Sequence, residues 1–198
     1  MTARATAGPQ PLPRVQRLID RLQPVHLEAA IPTYDADWTV TVNGLVDTPI
    51  ELSLDDLREL GAEERVIDFH CVWGWSKPRC RWTGVSVKRV LALAGVPAEA
   101  TVVTMACRDE PYASCLRLDD ANVGMLAWAL DGEDLTPEHG WPLRFVQPQW
   151  LWAYKGVKWV NRLTVGDWFV PGFWEAKTGD VDGRIPMSQL IPFTKELG

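Results

Sequence analysis

With 198 residues, 46% hydrophobic and 23% charged, the chain suits one globular domain with a substantial core. A net charge of −6 and a pI of about 5.1 argue against sequence-independent nucleic-acid binding, which needs a basic face. No apolar run reaches the ~20 residues of a membrane-spanning helix.

Residues 1–13 are rich in Pro, Ala and Thr and predict a flexible tail. Met1 to Gln10 holds neither an apolar core segment nor paired arginines, so no secretory or twin-arginine leader is predicted and a cytoplasmic location is expected. Val15, Leu18, Ile19 and Leu22 recur at helical spacing and predict a short helix ending before Pro24. Tail and helix, 1–24, would then precede a single domain at 25–198. His26 to Asp35 reads as an extended loop. Trp38 to Val42 alternates like a strand, and Asn43-Gly44 predicts a hairpin into Leu45-Val46.

Ser53-Leu54-Asp55-Asp56 has the spacing of a capping box with Asp in place of Glu. Leu54, Leu57 and Leu60 then mark a short helix stopped by Gly61. Arg65 to Phe69 reads as a strand. Val87, Val90, Leu91 and Ala94 define one apolar helical face over 86–94, closed by Gly95 and Pro97. Strands are expected at Thr101–Ala106, Met125–Leu130, Leu143–Val146 and Trp159–Val165, with a helical turn over Leu118–Asn122. Beyond Gly166 the turn-rich chain is expected to wrap the surface. Asp180-Val181-Asp182-Gly183 has part of a calcium-loop spacing but lacks the other ligands, and reads as a turn. Short helices mixed irregularly with short strands indicate an α+β (mixed α/β) fold rather than a doubly wound sheet.

Two stretches hold the chemistry. In Asp68-Phe69-His70-Cys71-Val72-Trp73-Gly74-Trp75-Ser76, an apolar strand delivers a thiol to a loop, a usual place for a site. Cys71 could be a small buried hydrophobe or a soft transition-metal ligand. Strand alternation turns His70 to the other side, which disfavours a Cys–His nucleophile pair. Lys77, Arg79 and Arg81 lie near enough to favour a thiolate. The spacings of Cys71, Cys80, Cys107 and Cys115 form no standard zinc pattern, and free thiols or a metal ligand are expected rather than disulfides. The second stretch is His139-Gly140-Trp141-Pro142-Leu143-Arg144, followed by Lys155-Gly156-Val157-Lys158-Trp159. Its cations adjoin residues that belong inside, and a partly buried Arg needs an anionic partner such as a phosphate. A solvated basic face is the alternative. The 11 tryptophans fit aromatic-lined clefts as well as core, and Trp73, Trp75 and Trp152 are candidates for a substrate mouth.

Cys-Val-x-x-Trp-Ser, a short gap and Trp82-Thr83-Gly84-Val85 resemble the molybdenum-cofactor domain of the sulfite oxidase family. His-Gly-x-Pro-Leu-Arg and the later Lys-x-Val-Lys-Trp resemble its second signature. Within the family, the similarity is strongest to the bacterial branch that contains the periplasmic methionine sulfoxide reductase catalytic subunit. Trp38 to Gly44, Leu130-Asp131-Gly132-Glu133 and Gly172-Phe173-Trp174-Glu175 extend the match, in family order, over roughly 25–175. The resemblance implies a sulfite oxidase-type molybdopterin-binding fold and molybdenum with pyranopterin (molybdopterin) as cofactor. It makes Cys71 the molybdenum ligand and the catalytic residue. His139, Arg144, Gly156, Val157 and Lys158 become cofactor contacts, with His26 the candidate from an early loop. A hydroxyl residue expected near Thr104–Arg108 is not singled out.

There are departures. The gap from Cys71 to Trp82 is one residue longer than in the reductase branch, and Trp150 to Tyr154 is expanded. A haem domain and a C-terminal immunoglobulin-like domain are not expected. The chain would be a monomeric cofactor domain acting on a small-molecule substrate with an external electron-transfer partner. Two rival expectations are a non-enzymatic module whose aromatic cleft binds an anionic ligand, and a thiol-redox protein using Cys107 and Cys115.

Overall fold

The computed structural model describes residues 12–13, 16–25, 31–35, 37–108, 111–186 and 190–191. Its strands, in chain order, are β1 (Leu12–Pro13), β2 (Arg17–Leu18), β3 (Thr39–Gly44), β4 (Ile50–Ser53), β5 (Glu63–Cys71), β6 (Trp75–Ser86), β7 (Val102–Cys107), β8 (Ala113–Arg117), β9 (Met125–Leu130), β10 (Glu133–Asp134), β11 (Arg144–Val146), β12 (Val160–Gly166) and β13 (Leu190–Ile191). The helices are α1 (Leu54–Glu59), α2 (Val87–Ala94), α3 (Leu118–Val123) and α4 (Phe173–Thr178). This is the α+β arrangement that the sequence predicts.

Two sheets organise the molecule. One runs β4-β3-β12-β7-β8, with β12 parallel to β3 and antiparallel to β7. The other runs β10-β9-β6-β2, with β5 also on β6 and β11 also on β9. The 12-residue β6 is its spine and pairs with β5 from Trp75 to Gly84. Near its end, Trp82 to Ser86 turn to β9.

The larger core lies under the first sheet and α2, whose Val87, Val90, Leu91 and Ala94 are all buried as the period requires. Trp38 donates its indole N–H to the Val160 carbonyl at 2.9 Å, joining β3 to β12 across 122 positions. The second core holds Phe69, Cys71, Trp75, Cys80 and Trp82 on the β5–β6 hairpin.

The predicted capping box forms. Ser53 Oγ accepts from Asp56 N, and the Asp56 carboxylate accepts from Ser53 N at 2.8 Å. Ser53 Oγ also donates to the Asp56 carboxylate at 2.7 Å, and this bond, with that from Ser53 N, holds the Asp56 carboxyl below its ordinary pKa.

Three expectations need correction. The helix expected to end before Pro24 does not form over the described residues 16–22: Arg17–Leu18 is a strand lying parallel to β6 at Trp75–Ser76. The β3–β4 hairpin is real, but Asn43-Gly44 is not its apex, since both residues still belong to β3 and the loop runs over 45–49. Gly44 serves a different contact: with φ +87°, it lies where a Cβ would come within 2.2 Å of the Val165 carbonyl on β12. The third correction concerns the stretch after Gly166, which is more than a surface wrap. Its helix α4 drives Glu175 into the interior. His26 lies outside the described residues.

Candidate functional site

Cys71 is the last residue of β5, and the chain turns through Val72, Trp73 and Gly74 before β6 begins. Gly74 makes this possible with φ +85°. Its N–H donates to the Cys71 carbonyl at 3.1 Å, and its own carbonyl accepts from Arg17 N at 2.9 Å. The turn is therefore held both from within and by β2.

Alternation along β5 sends His70 to the far side, as predicted. Its Nδ1 meets Ser76 Oγ at 2.8 Å, and that hydroxyl donates to Gln16 Oε1 at 3.0 Å. Burial lowers the His70 pKa to about 4, so the ring is neutral and takes no part on the Cys71 side.

The cations near Cys71 do not face it. Lys77 Nζ pairs with Asp131 Oδ2 at 3.0 Å, and Arg81 Nη2 donates to the Asp131 carbonyl at 3.2 Å. Arg108 stacks over Trp38 with its guanidinium carbon 4.5 Å from the ring centre. Burial instead raises the Cys71 pKa, favouring the neutral thiol. A thiolate at this position needs a cation beside it, and a bound metal is one.

The other half of the site comes from two segments clipped together. Phe145 N donates to Val157 O at 2.7 Å and Val157 N to Phe145 O at 3.2 Å, so 156–158 lie alongside β11. Crowding favours glycine at 156: a Cβ there would stand 2.6 Å from Gln147 Oε1 and 3.1 Å from the Phe145 carbonyl, so these neighbours would have to shift. His139 closes a one-turn 3-10 helix. Its Nε2 lies 3.0 Å from the Leu22 carbonyl and its Nδ1 2.9 Å from Thr136 Oγ1, which makes Nε2 the protonated nitrogen. Burial is the main cause that lowers its pKa, leaving it neutral near pH 7.

Arg144 is 5% exposed, on β11. Its Nη1 donates to the His139 carbonyl at 2.9 Å, and its guanidinium carbon sits 5.0 Å from the Trp82 ring centre and 5.3 Å from that of Phe69. Burial brings its pKa down to about 10, still well above neutrality. Its Nε has no hydrogen-bond partner, and no carboxylate ion-pairs with it among the described residues. A buried cation in this condition calls for an anion from outside the chain.

These halves meet around one cavity of about 260 Å³, whose wall includes Cys71, His139, Arg144, Gly156 and Lys158. Trp73 and Trp75 line it, whereas Trp152, Arg79, Arg81 and Arg108 do not. Val157 is fully buried behind the wall, where its backbone pairing with Phe145 places its neighbours. Lys158 Nζ donates to the Glu138 carbonyl at 2.9 Å.

Lys155, grouped with these cations by sequence, leaves the cavity altogether. It is 1% exposed and pairs with Glu175 Oε1 at 2.7 Å while donating to the carbonyls of Cys115 and Val181. Three contributors escaped sequence reasoning: Tyr112, Trp174, and the segment Leu22 to Val25. Tyr112 donates its hydroxyl to the Tyr154 carbonyl. Trp174 had a signal, since Gly172-Phe173-Trp174-Glu175 was a recognisable closing motif. For Tyr112 and Leu22 to Val25 there was none.

Cys107 and Cys115 are buried on adjacent strands and in no disulfide among the described residues, out of reach of external thiols. The Asp180 turn is confirmed: Asp180 Oδ1 accepts from Gly183 N at 3.0 Å. No group of three or more potential metal ligands occurs among the described residues, so one soft donor, Cys71, stands beside an anion-seeking guanidinium.

The chain belongs to the oxidoreductase molybdopterin binding domain family, which matches residues 28–174. It is a molybdopterin-dependent oxidoreductase with molybdenum and molybdopterin as its cofactor, in the sulfite oxidase-like class, whose chemistry is oxygen-atom transfer. The uncharacterized oxidoreductase YuiH of Bacillus subtilis is 40% identical over 156 residues, covering 77% of this chain and 78% of that protein. The protein-methionine-sulfoxide reductase catalytic subunit MsrP of Gluconobacter oxydans is 32% identical over 165 residues, covering 74% of this chain and 52% of its own length. The chain thus spans about half the length of the MsrP relatives it matches. Among solved structures, the sulfane dehydrogenase SoxCD from Paracoccus pantotrophus superposes with a TM-score of 0.63 at 26% identity, over 70% of this chain and 40% of that one. Membership in an oxidoreductase family sets aside the non-enzymatic binding module.

The cavity fits the cofactor: it offers a soft sulfur on one wall and, on the other, a buried guanidinium whose Nε lacks a partner.

Proposed function

We propose that this enzyme reduces a neutral S-oxide or N-oxide, with Cys71 as the molybdenum ligand. The observation that carries the reading is the pairing of the Cys71 thiol with the orphaned Arg144 Nε across one cavity. Arg144 and Lys158 hold the anionic end of the cofactor, and His139 contacts it from the same wall while its carbonyl holds Arg144 in place. Gly156 lets the backbone approach closely, and Val157 keeps that backbone in register. His26 is proposed as a further contact.

When bound, the cofactor supplies the two-electron oxygen-atom chemistry, while the protein supplies orientation and electrostatics. In the reducing direction, R₂S=O, two electrons and two protons give R₂S and water. The electrons come from an external redox partner. We further propose a monomer in the cytoplasm. Four buried cysteines, none in a disulfide among the described residues, suit a reducing compartment, and sedimentation velocity and cell fractionation test the two proposals.

The direction follows from charge. An anionic substrate such as sulfite needs cations beyond those committed to cofactor phosphate. Arg79, Arg81 and Arg108 are absent from the cavity wall, and the turn after Cys71 carries apolar side chains. The methionine-sulfoxide reductase relatives point the same way. With reduced benzyl viologen as donor, the holoenzyme is expected to reduce dimethyl sulfoxide or methionine sulfoxide with a higher kcat/KM than it oxidises sulfite with ferricyanide. Efficient sulfite oxidation without sulfoxide reduction would reverse the direction and leave the cofactor site intact.

Arg144→Ala and Lys158→Ala should each purify with less bound pterin. A lost charge-assisted contact costs about 1.5–3 kcal/mol, a roughly 10- to 150-fold weaker hold. Fluorescence of the oxidised pterin released on denaturation measures it. Full pterin occupancy in both variants would place the phosphate elsewhere.

A further inference from the structure

We propose that Trp73 is the specificity-determining residue of this enzyme, selecting neutral oxides that carry an aromatic or extended apolar group over small ones. The proposal rests on the sulfoxide-reduction reading above. Trp73 lines the cavity, yet 62% of it remains exposed, and Val72 beside it is 47% exposed. Residues both in the wall and open to solvent mark the cavity's outer edge. An exposed indole there is poorly accommodated by water and gains from any apolar surface laid against it.

The ring is presented from a fixed backbone. Gly74 bonds back to Cys71 and accepts from Arg17, and Ile19 N donates to Ser76 O at 3.0 Å on the far side of the turn. Little ordering is therefore left for substrate binding to impose.

The wall is apolar elsewhere too, with Leu22 and Val25 from the segment after β2 and Trp174 from α4. The cavity's cations lie in the other half, where Arg144 and Lys158 donate to backbone carbonyls. A substrate whose oxide faces Cys71 leaves its organic flank at this edge, two residues away along a rigid turn.

The test compares methyl phenyl sulfoxide with dimethyl sulfoxide on molybdenum-loaded wild type, Trp73→Ala and Trp73→Phe, with reduced benzyl viologen as donor and molybdenum content matched. In Trp73→Ala the aryl-to-methyl ratio of kcat/KM is expected to fall about tenfold, as losing the contact of one ring predicts. The change should lie mainly in KM, and Trp73→Phe should restore most of it. Because the residue is exposed, the thermal midpoint should hold, which separates selectivity from folding. A ratio in Trp73→Ala within about twofold of wild type, the scatter of a surface substitution, would overturn the proposal while leaving sulfoxide reduction intact. Failure of wild type to reduce either sulfoxide would overturn both.

Discussion

Cys71→Ser is expected to lower turnover at least about a hundredfold and to change the visible absorption of the holoenzyme. Substituting a group that merely orients a metal ligand typically costs about 10- to 100-fold, and loss of the ligand's own sulfur should cost no less. The reason is softness: a thiolate donates charge to molybdenum that a hard alkoxide does not. Burial compounds the effect, because a site that already disfavours the Cys71 thiolate opposes an ionised serine far more strongly. Pterin should still be retained, since Arg144, His139 and Lys158 lie on the opposite half of the cavity. Cys80→Ser is the control. Cys80 is buried more deeply in the same core but does not line the cavity, so its substitution should leave the spectrum in place. An unchanged spectrum with full turnover in Cys71→Ser would remove Cys71 from the metal.

Lys155→Met should be the most destabilising single change, lowering stability by about 3–5 kcal/mol and the thermal midpoint by roughly 6–20 °C for a chain of this size. The substitution preserves much of the apolar stem but leaves Glu175 charged in the interior. Only Ser114 Oγ, at 2.7 Å, and Cys115 N, at 3.3 Å, would still donate to that carboxylate. It also orphans the carbonyls of Cys115 and Val181. Adding Glu175→Gln should recover part of the loss by removing the uncompensated charge. Calorimetry of the two variants decides the matter: a shift of less than about 2 °C in the single variant would mean that water reaches the pair.

What could be read from the sequence was what short-range physics determines. The α2 face, the Ser53–Asp56 cap and the strand that ends in Cys71 each depend on neighbours a few positions away. The cofactor cavity was legible because its two halves are contiguous motifs, one around Cys71 and one from His139 to Lys158.

What failed depended on distant partners. Leu18, Ile19 and Leu22 are spaced like a helix, but backbone pairing with β6 and a place at the cavity decide their conformation. Asn43-Gly44 looked like a hairpin apex, yet Asn43 Oδ1 accepts from Thr164 Oγ1 and Gly44 makes room for β12. Lys155 could not be told from a phosphate-binding lysine, because its partner Glu175 lies 20 positions on in a stretch with weak periodicity.

The placement of β12 has a consequence for the order in which the chain can fold as it is made. Arg162 to Val165 pair in parallel with Thr41 to Gly44 on one side and antiparallel with Val103 to Ala106 on the other. Until the ribosome has passed residue 165, β3–β4 and β7–β8 are separate hairpins, each with an unpaired edge. Two-stranded hairpins are marginal alone, and unpaired edges attract other strands. Most of the polypeptide must therefore be synthesised before its larger sheet can join, and nascent chains shorter than this are the ones exposed to aggregation.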